Sequence, residues 1–71
     1  MKPTKGLEGR EILVELIPLG QYIKAIAVDV KTDTEVSVTG PKSAMPSVHQ
    51  NNAMRRLEYV MRKKGHLPPE E

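Results

Sequence analysis

The 71-residue chain has no cysteine, phenylalanine or tryptophan, and its two tyrosines are its only aromatic rings. Without cysteine there is no disulfide and no thiolate metal site, and a reducing, cytoplasmic setting is permitted. Without large rings the core must be assembled from Ile, Val, Leu, Ala and Met, side chains that pack well and recognise little. Long apolar runs are missing too. Glu15, Lys24 and Asp29 interrupt every candidate, and none approaches the roughly 18 residues that a membrane helix needs. The start, Met1-Lys2-Pro3-Thr4-Lys5-Gly6, is charged but leads into no apolar stretch, so a secretory leader is not expected. A strong charge of one sign is also absent: 11 Lys plus Arg stand against 9 Asp plus Glu, and the resulting +2 does not by itself argue for nucleic acid.

What is present suits one small α+β domain. Residues 1–9 combine two glycines, a proline and charges without a hydrophobic period, and are expected to form a flexible lead-in. The run Arg10-Glu11-Ile12-Leu13-Val14-Glu15-Leu16-Ile17 is rich in β-branched residues and short for a buried helix, which predicts a strand ended by Pro18 and Gly20. A second strand is expected over Gln21 to Val30, followed by the turn-forming Lys31-Thr32-Asp33-Thr34. A third, Glu35-Val36-Ser37-Val38-Thr39, alternates cleanly before Gly40-Pro41.

The register of this meander can be tested for compatibility, because residues directly opposite in an antiparallel pair share a face. Setting Ile17 against Tyr22 places Glu15 opposite Lys24 and Arg10 opposite Asp29, two opposite-charge pairs at once. Setting Val30 against Glu35 then brings Val36 and Val38 to the face that holds Ile12, Val14, Leu16 and Ile23. Ala25 and Ala27 lie on that face and leave room for a covering element. A C-terminal helix suits the role: Ser47-Val48-His49-Gln50 has the form of a capping box, with Ser43 as a rival cap, and Ala53, Met54, Leu57, Val60 and Met61 fall on one stripe. Arg62, Lys63 and Lys64 suit the negative end of the helix dipole and Gly65 suits the cap beyond it. The expected architecture is βββα over residues 10–64, a three-stranded antiparallel meander covered on one face. A flexible tail is expected over 65–71, where Pro68-Pro69 cannot continue a helix.

Gly20-x-Tyr22-x-Lys24, Asp29, Thr34-Glu35-Val36-Ser37-Val38-x-Gly40-Pro41 and Arg56-Leu57-Glu58-Tyr59-Val60 together resemble a family of short bacterial proteins of unknown function. The resemblance spans roughly residues 10–64. In that family the second turn tends to carry a proline and a glycine, where this chain has Val30-Lys31-Thr32-Asp33. The shared features are those of strands, turns and a helix, so the resemblance implies a domain and no activity, and no catalytic residue is carried over.

No motif names a chemistry, and no enzyme is expected. His49 and His66 lack the spacing of metal ligands, and both are expected to be solvated. The carboxylates Glu11, Glu15, Asp29, Asp33 and Glu35 are scattered over strands and a turn. Gly40-Pro41-Lys42-Ser43 lacks the spacing of a phosphate-binding loop. No catalytic residue, cofactor, metal or small-molecule substrate is assigned, and the setting is expected to be cytoplasmic and away from membranes.

Two surfaces remain. Away from the helix, Leu13, Ile17, Tyr22, Ile26 and Val28 surround Glu15 and Lys24 in a half-apolar sheet face with nothing in the chain to cover it. The leading expectation is a non-enzymatic protein-interaction module. Its anchors are Leu13, Ile17, Tyr22 and Ile26, Glu15 and Lys24 fix orientation, and its partner is a second copy or another protein. A tolerated bare face, or the lead-in folded across it, are the other outcomes. The alternative is weak nucleic-acid binding through Arg55, Arg56, Tyr59, Arg62 and Lys63, an aromatic among cations on the outer side of the helix. Against it stands an ordinary solvated basic face in which Glu58 and Arg62 form an i,i+4 pair. A third possibility is an accessory subunit that contributes contacts to an enzyme and no chemistry.

Overall fold

The computed structural model describes residues 5–68 and has the βββα architecture. A 3₁₀ turn at Lys5–Leu7 precedes strands β1 (Ile12–Leu19), β2 (Tyr22–Asp29) and β3 (Thr34–Pro41), and helix α1 (Pro46–Lys63) closes the fold. The sheet is antiparallel in the order β1-β2-β3. Residues 1–4 and 69–71, parts of the expected lead-in and tail, lie outside the described residues.

Both hairpins are shifted by two residues from the expected register. Leu19, not Ile17, lies opposite Tyr22, because the chain turns tightly through Gly20 and Gln21 with Gly20 at φ 60°. Pro18 therefore does not end β1 but stays within it. The carbonyl of Glu11 accepts from the Val30 amide at 3.1 Å, so the odd-numbered residues of β1 aim their backbone groups at β2. The even-numbered ones, Pro18 among them, face the free edge, and its missing N–H costs no ladder bond. In the second hairpin Thr34, not Glu35, closes the pairing, opposite Asp29, and the four-residue loop 30–33 places Asp33 at φ 57°. A slip of two leaves every side chain on its expected face, since the pleat repeats every two residues.

The shift does re-pair the charges. Glu15 sits opposite Ile26 and Lys24 opposite Ile17, and the expected Glu15–Lys24 ion pair is not among those of the described residues. Arg10 still reaches Asp29, at 3.1 Å, although Ile12 is now the residue opposite it.

The helix begins earlier than its capping signal suggests. Met45 is the N-cap and makes no side-chain cap, and Pro46 opens the helix. A proline there has its φ preset and has no N–H to satisfy, so Ser47 falls inside the first turn and neither Ser47 nor Ser43 caps. The far end agrees with expectation. Gly65 at φ 84° follows the last turn, its amide reaching the Arg62 carbonyl at 3.2 Å and the His66 amide reaching Met61 at 2.8 Å, the paired bonds of a Schellman cap.

Ala25, Ala27, Ala53, Leu57 and Met61 are wholly buried, with Met54 and Val60 packed alongside. Small alanines in β2 are what let the helix lie close. It covers β2 and β3 and touches β1 least, so Val14 remains exposed and Ile12 and Leu16 only half covered. The core also extends past residues 10–64, since Leu7 and Leu67 are buried members of it.

Candidate interaction surfaces

The uncovered side of the sheet is a grid of four cross-strand rows. Leu13, Val28 and Glu35 form the first, Glu15, Ile26 and Ser37 the second, Ile17, Lys24 and Thr39 the third, and Leu19, Tyr22 and Pro41 the fourth. Leu13 and Tyr22 are each 56% exposed and Leu19 is 50% exposed, while Ile17, Lys24, Ile26 and Val28 are half-buried by their neighbours. All six predicted residues thus share one face, and Leu19 joins them through the longer β1. Leu13 and Val28 lie toward one end of the face and Leu19 and Tyr22 toward the other; Glu15 and Lys24 stand diagonally across its middle, neither held in an ion pair among the described residues, and the exposed Glu35 closes the first row on the β3 side.

The basic surface of α1 is less uniform than its sequence. Tyr59 is exposed, with the Arg56 guanidinium 5.5 Å and the Lys63 ammonium 5.7 Å from its ring centroid. Arg55 is exposed as well. Arg62 is turned away from that group: it donates to Glu58 at 2.9 Å and, through Nε, to the Pro68 carbonyl at 3.0 Å. The i,i+4 pair is there, but Glu58 is buried and also accepts from the Gly6 amide at 3.1 Å. A Cβ at Gly6 would stand 2.6 Å from Glu58 Oε2, so a larger residue there would displace the carboxylate.

The burial of two further polar groups, Asp29 and His49, was not foreseen from the sequence. Asp29 has no exposed surface; its Oδ2 accepts from the Thr32 amide at 3.0 Å, the Thr32 hydroxyl at 2.7 Å and Arg10 at 3.1 Å. Because the Thr32 hydroxyl spends its proton on the carboxylate, the Thr34 hydroxyl, 2.7 Å away, is the donor to Thr32. Burial alone would push the Asp29 carboxyl up. The Thr32 bonds and then the Arg10 charge outweigh it and hold the group below its ordinary value of 3.8. The Asp-x-x-Thr spacing ahead of the turn was the available signal. His49, expected to be solvated, is instead buried against β3: a Cβ at Gly40 would lie 2.9 Å from its Nδ1. An ordinary-looking Gly-Pro in the third strand was the only hint of that close approach.

Glu58 and Asp29 tie separate segments together, His49 Nε2 is buried with no hydrogen-bond partner among the described residues, and the three do not converge on a common site. Among the described residues no cluster of three or more His, Asp or Glu side chains has the arrangement of a metal centre, and no helix is long and apolar enough to cross a membrane.

Sheet and helix together define a small α+β domain of the βββα type. The chain belongs to the family described as "Domain of unknown function (DUF6898)", whose model matches residues 9–64. No curated protein and no solved structure matches it.

Proposed function

We propose that this chain is a small protein-interaction module, with no catalysis of its own, that self-associates through the open sheet face. One observation carries the reading: exposed apolar side chains of that face, Leu13 on one side and Leu19 and Tyr22 on the other, flank Glu15 and Lys24, opposite charges unpaired with each other. A two-fold axis lying in the contact plane, midway between the two side chains and perpendicular to the line joining them, brings each Glu15 to the Lys24 of a second copy. Both ion pairs then form at once, which makes a second copy the natural occupant. Leu13, Ile17, Tyr22 and Ile26 are the anchors, each worth roughly 1.5–3 kcal/mol on full burial. A cytoplasmic, bacterial setting belongs to the same reading, supported by the cysteine-free composition and by the strand and helix motifs quoted above.

Light scattering after size exclusion, at several protein concentrations and at low and high salt, tests it. A concentration-dependent dimer that Ile26→Glu converts to a folded monomer is the expected result; a dimer untouched by that substitution refutes the face. The alternative, weak nucleic-acid binding, draws on Arg55, Arg56, Tyr59 and Lys63, which share the outer side of α1, the nearby Glu58 being taken up by Arg62 and the Gly6 amide. Arg62 is committed elsewhere and both cations already lie over the ring, which weakens this alternative. Oligonucleotide binding that falls steeply with salt would select it over self-association.

A further inference from the structure

The two edges of the sheet are built differently. β3 ends the sheet with Thr34-Glu35-Val36-Ser37-Val38-Thr39-Gly40-Pro41, whose polar residues and terminal glycine and proline discourage pairing. β1 ends it with Ile12-Leu13-Val14-Glu15-Leu16-Ile17-Pro18-Leu19, apolar on both faces apart from Glu15 and more apolar than the central strand. Apolar character on both faces is the mark of an interior strand, and here it belongs to an edge. The backbone is equally open. Ile12, Val14 and Leu16 aim their N–H and C=O groups outward, and no backbone group among the described residues bonds to them.

We propose that β1 pairs antiparallel with β1 of a second copy, joining two three-stranded sheets into one of six strands. The contact is distinct from face packing and does not depend on it.

The sequence of β1 selects one register. Outward-facing residues are even-numbered, so hydrogen-bonded pairs across a two-fold must join even to even. Setting Ile12 against the partner's Val14 puts Glu11 opposite the partner's Glu15. Setting Val14 against the partner's Leu16 puts Glu15 opposite the partner's Glu15 and Ile12 opposite a proline without a donor. Setting Leu16 against the partner's Leu16 matches Val14 with that same proline. Centring the axis on Val14 avoids every one of these conflicts. Ile12 then pairs with the partner's Leu16, Leu13 faces the partner's Glu15, the two glutamates are staggered, and Pro18 falls beyond the bonded segment. The axis stands normal to the sheet, so both helices lie on one side, and the exposed Val14 and half-covered Ile12 and Leu16 of each copy meet between them.

Amide hydrogen exchange and isotope-mixed NMR on the unaltered chain test this directly. Edge pairing predicts that raising the concentration slows exchange at Ile12, Val14 and Leu16 by at least about tenfold, and that an NOE links Leu13 Hα of one copy to Glu15 Hα of the other. Val14→Pro removes one outward donor and no bond to β2. It should erase both signals and halve the mass of an edge-paired dimer while the circular dichroism of the fold persists. If that variant fails to fold, the exchange and NOE data on the unaltered chain still decide. Fast exchange at those amides in an assembly that Ile26→Glu disperses would overturn edge pairing and leave face packing standing. Slow exchange in an assembly that Ile26→Glu leaves intact would support edge pairing and remove face packing. A monomer at every concentration overturns both.

Discussion

Asp29 shows how much a single side chain organises here. Its carboxylate closes the β2–β3 turn through Thr32 and ties that turn to Arg10, whose Nη2 also reaches the His66 carbonyl at 3.2 Å. Its pKa lies below the ordinary 3.8 in the folded protein, so the folded state prefers the charged form. The stability this confers is complete above the unfolded value and is lost as pH falls through the folded one. The midpoint of urea unfolding should therefore drop as pH is lowered below about 4. Asp29→Asn should flatten that dependence and lower the midpoint at neutral pH; an unchanged acid slope in the variant would remove Asp29 as its source. The Arg10–Asp29 pair was legible from charge alternation. The role of Thr32 was not, because a threonine in a turn has many uses and only burial of the acid reveals which one applies.

Among the elements, α1 is well closed at one end and poorly at the other. The Schellman cap at Gly65 is complete, whereas Met45 holds the N-cap position with a side chain that accepts no amide proton, and the first turn contains no acid. Met45 is 68% exposed and its extended backbone, φ −66° and ψ 149°, already suits a capping residue. Met45→Asp should therefore stabilise the protein by about 1 kcal/mol, raising Tm by roughly 4–8 °C in a domain of this size. Thermal unfolding by circular dichroism reads the shift, and no gain would mean that the first-turn amides are already satisfied. The strands and the buried stripe of this helix were readable because their periods, two and three to four, survive any small displacement along the chain. Turn lengths and the helix start were not, since Pro18 and Pro46 each had two roles. Pro18 could end a strand or sit on an edge, and Pro46 could precede a helix or begin it; neighbouring elements made the choice.

For the whole molecule, the decisive feature is that the chain ends are knit together at one end of the sheet. Gly6 and Arg62 converge on Glu58, Arg10 reaches back to His66, Arg62 holds the Pro68 carbonyl, and Leu7 and Leu67 fill the core between them. Composition gave no warning, because short segments rich in Gly, Pro and charge look alike whether they are solvated or pinned by a single buried leucine. The family match, residues 9–64, leaves out both leucines. A chain trimmed to those residues should therefore be markedly less stable than the full chain, even though every strand and the whole of α1 are retained. Burial of one leucine accounts for about 2–5 kcal/mol by comparison with alanine, while a domain of 71 residues has roughly 4–11 kcal/mol in all. Leu7→Ala and Leu67→Ala in the full chain should each lower the urea midpoint, and the trimmed chain should lose cooperative unfolding or come close to it. If the trimmed chain unfolds with an unchanged midpoint and an unchanged slope, the ends contribute nothing and the core is closed by sheet and helix alone. If it fails while the two single variants are mild, the ion pairs and backbone bonds at Glu58 and Arg10, more than the leucines, hold the ends in place.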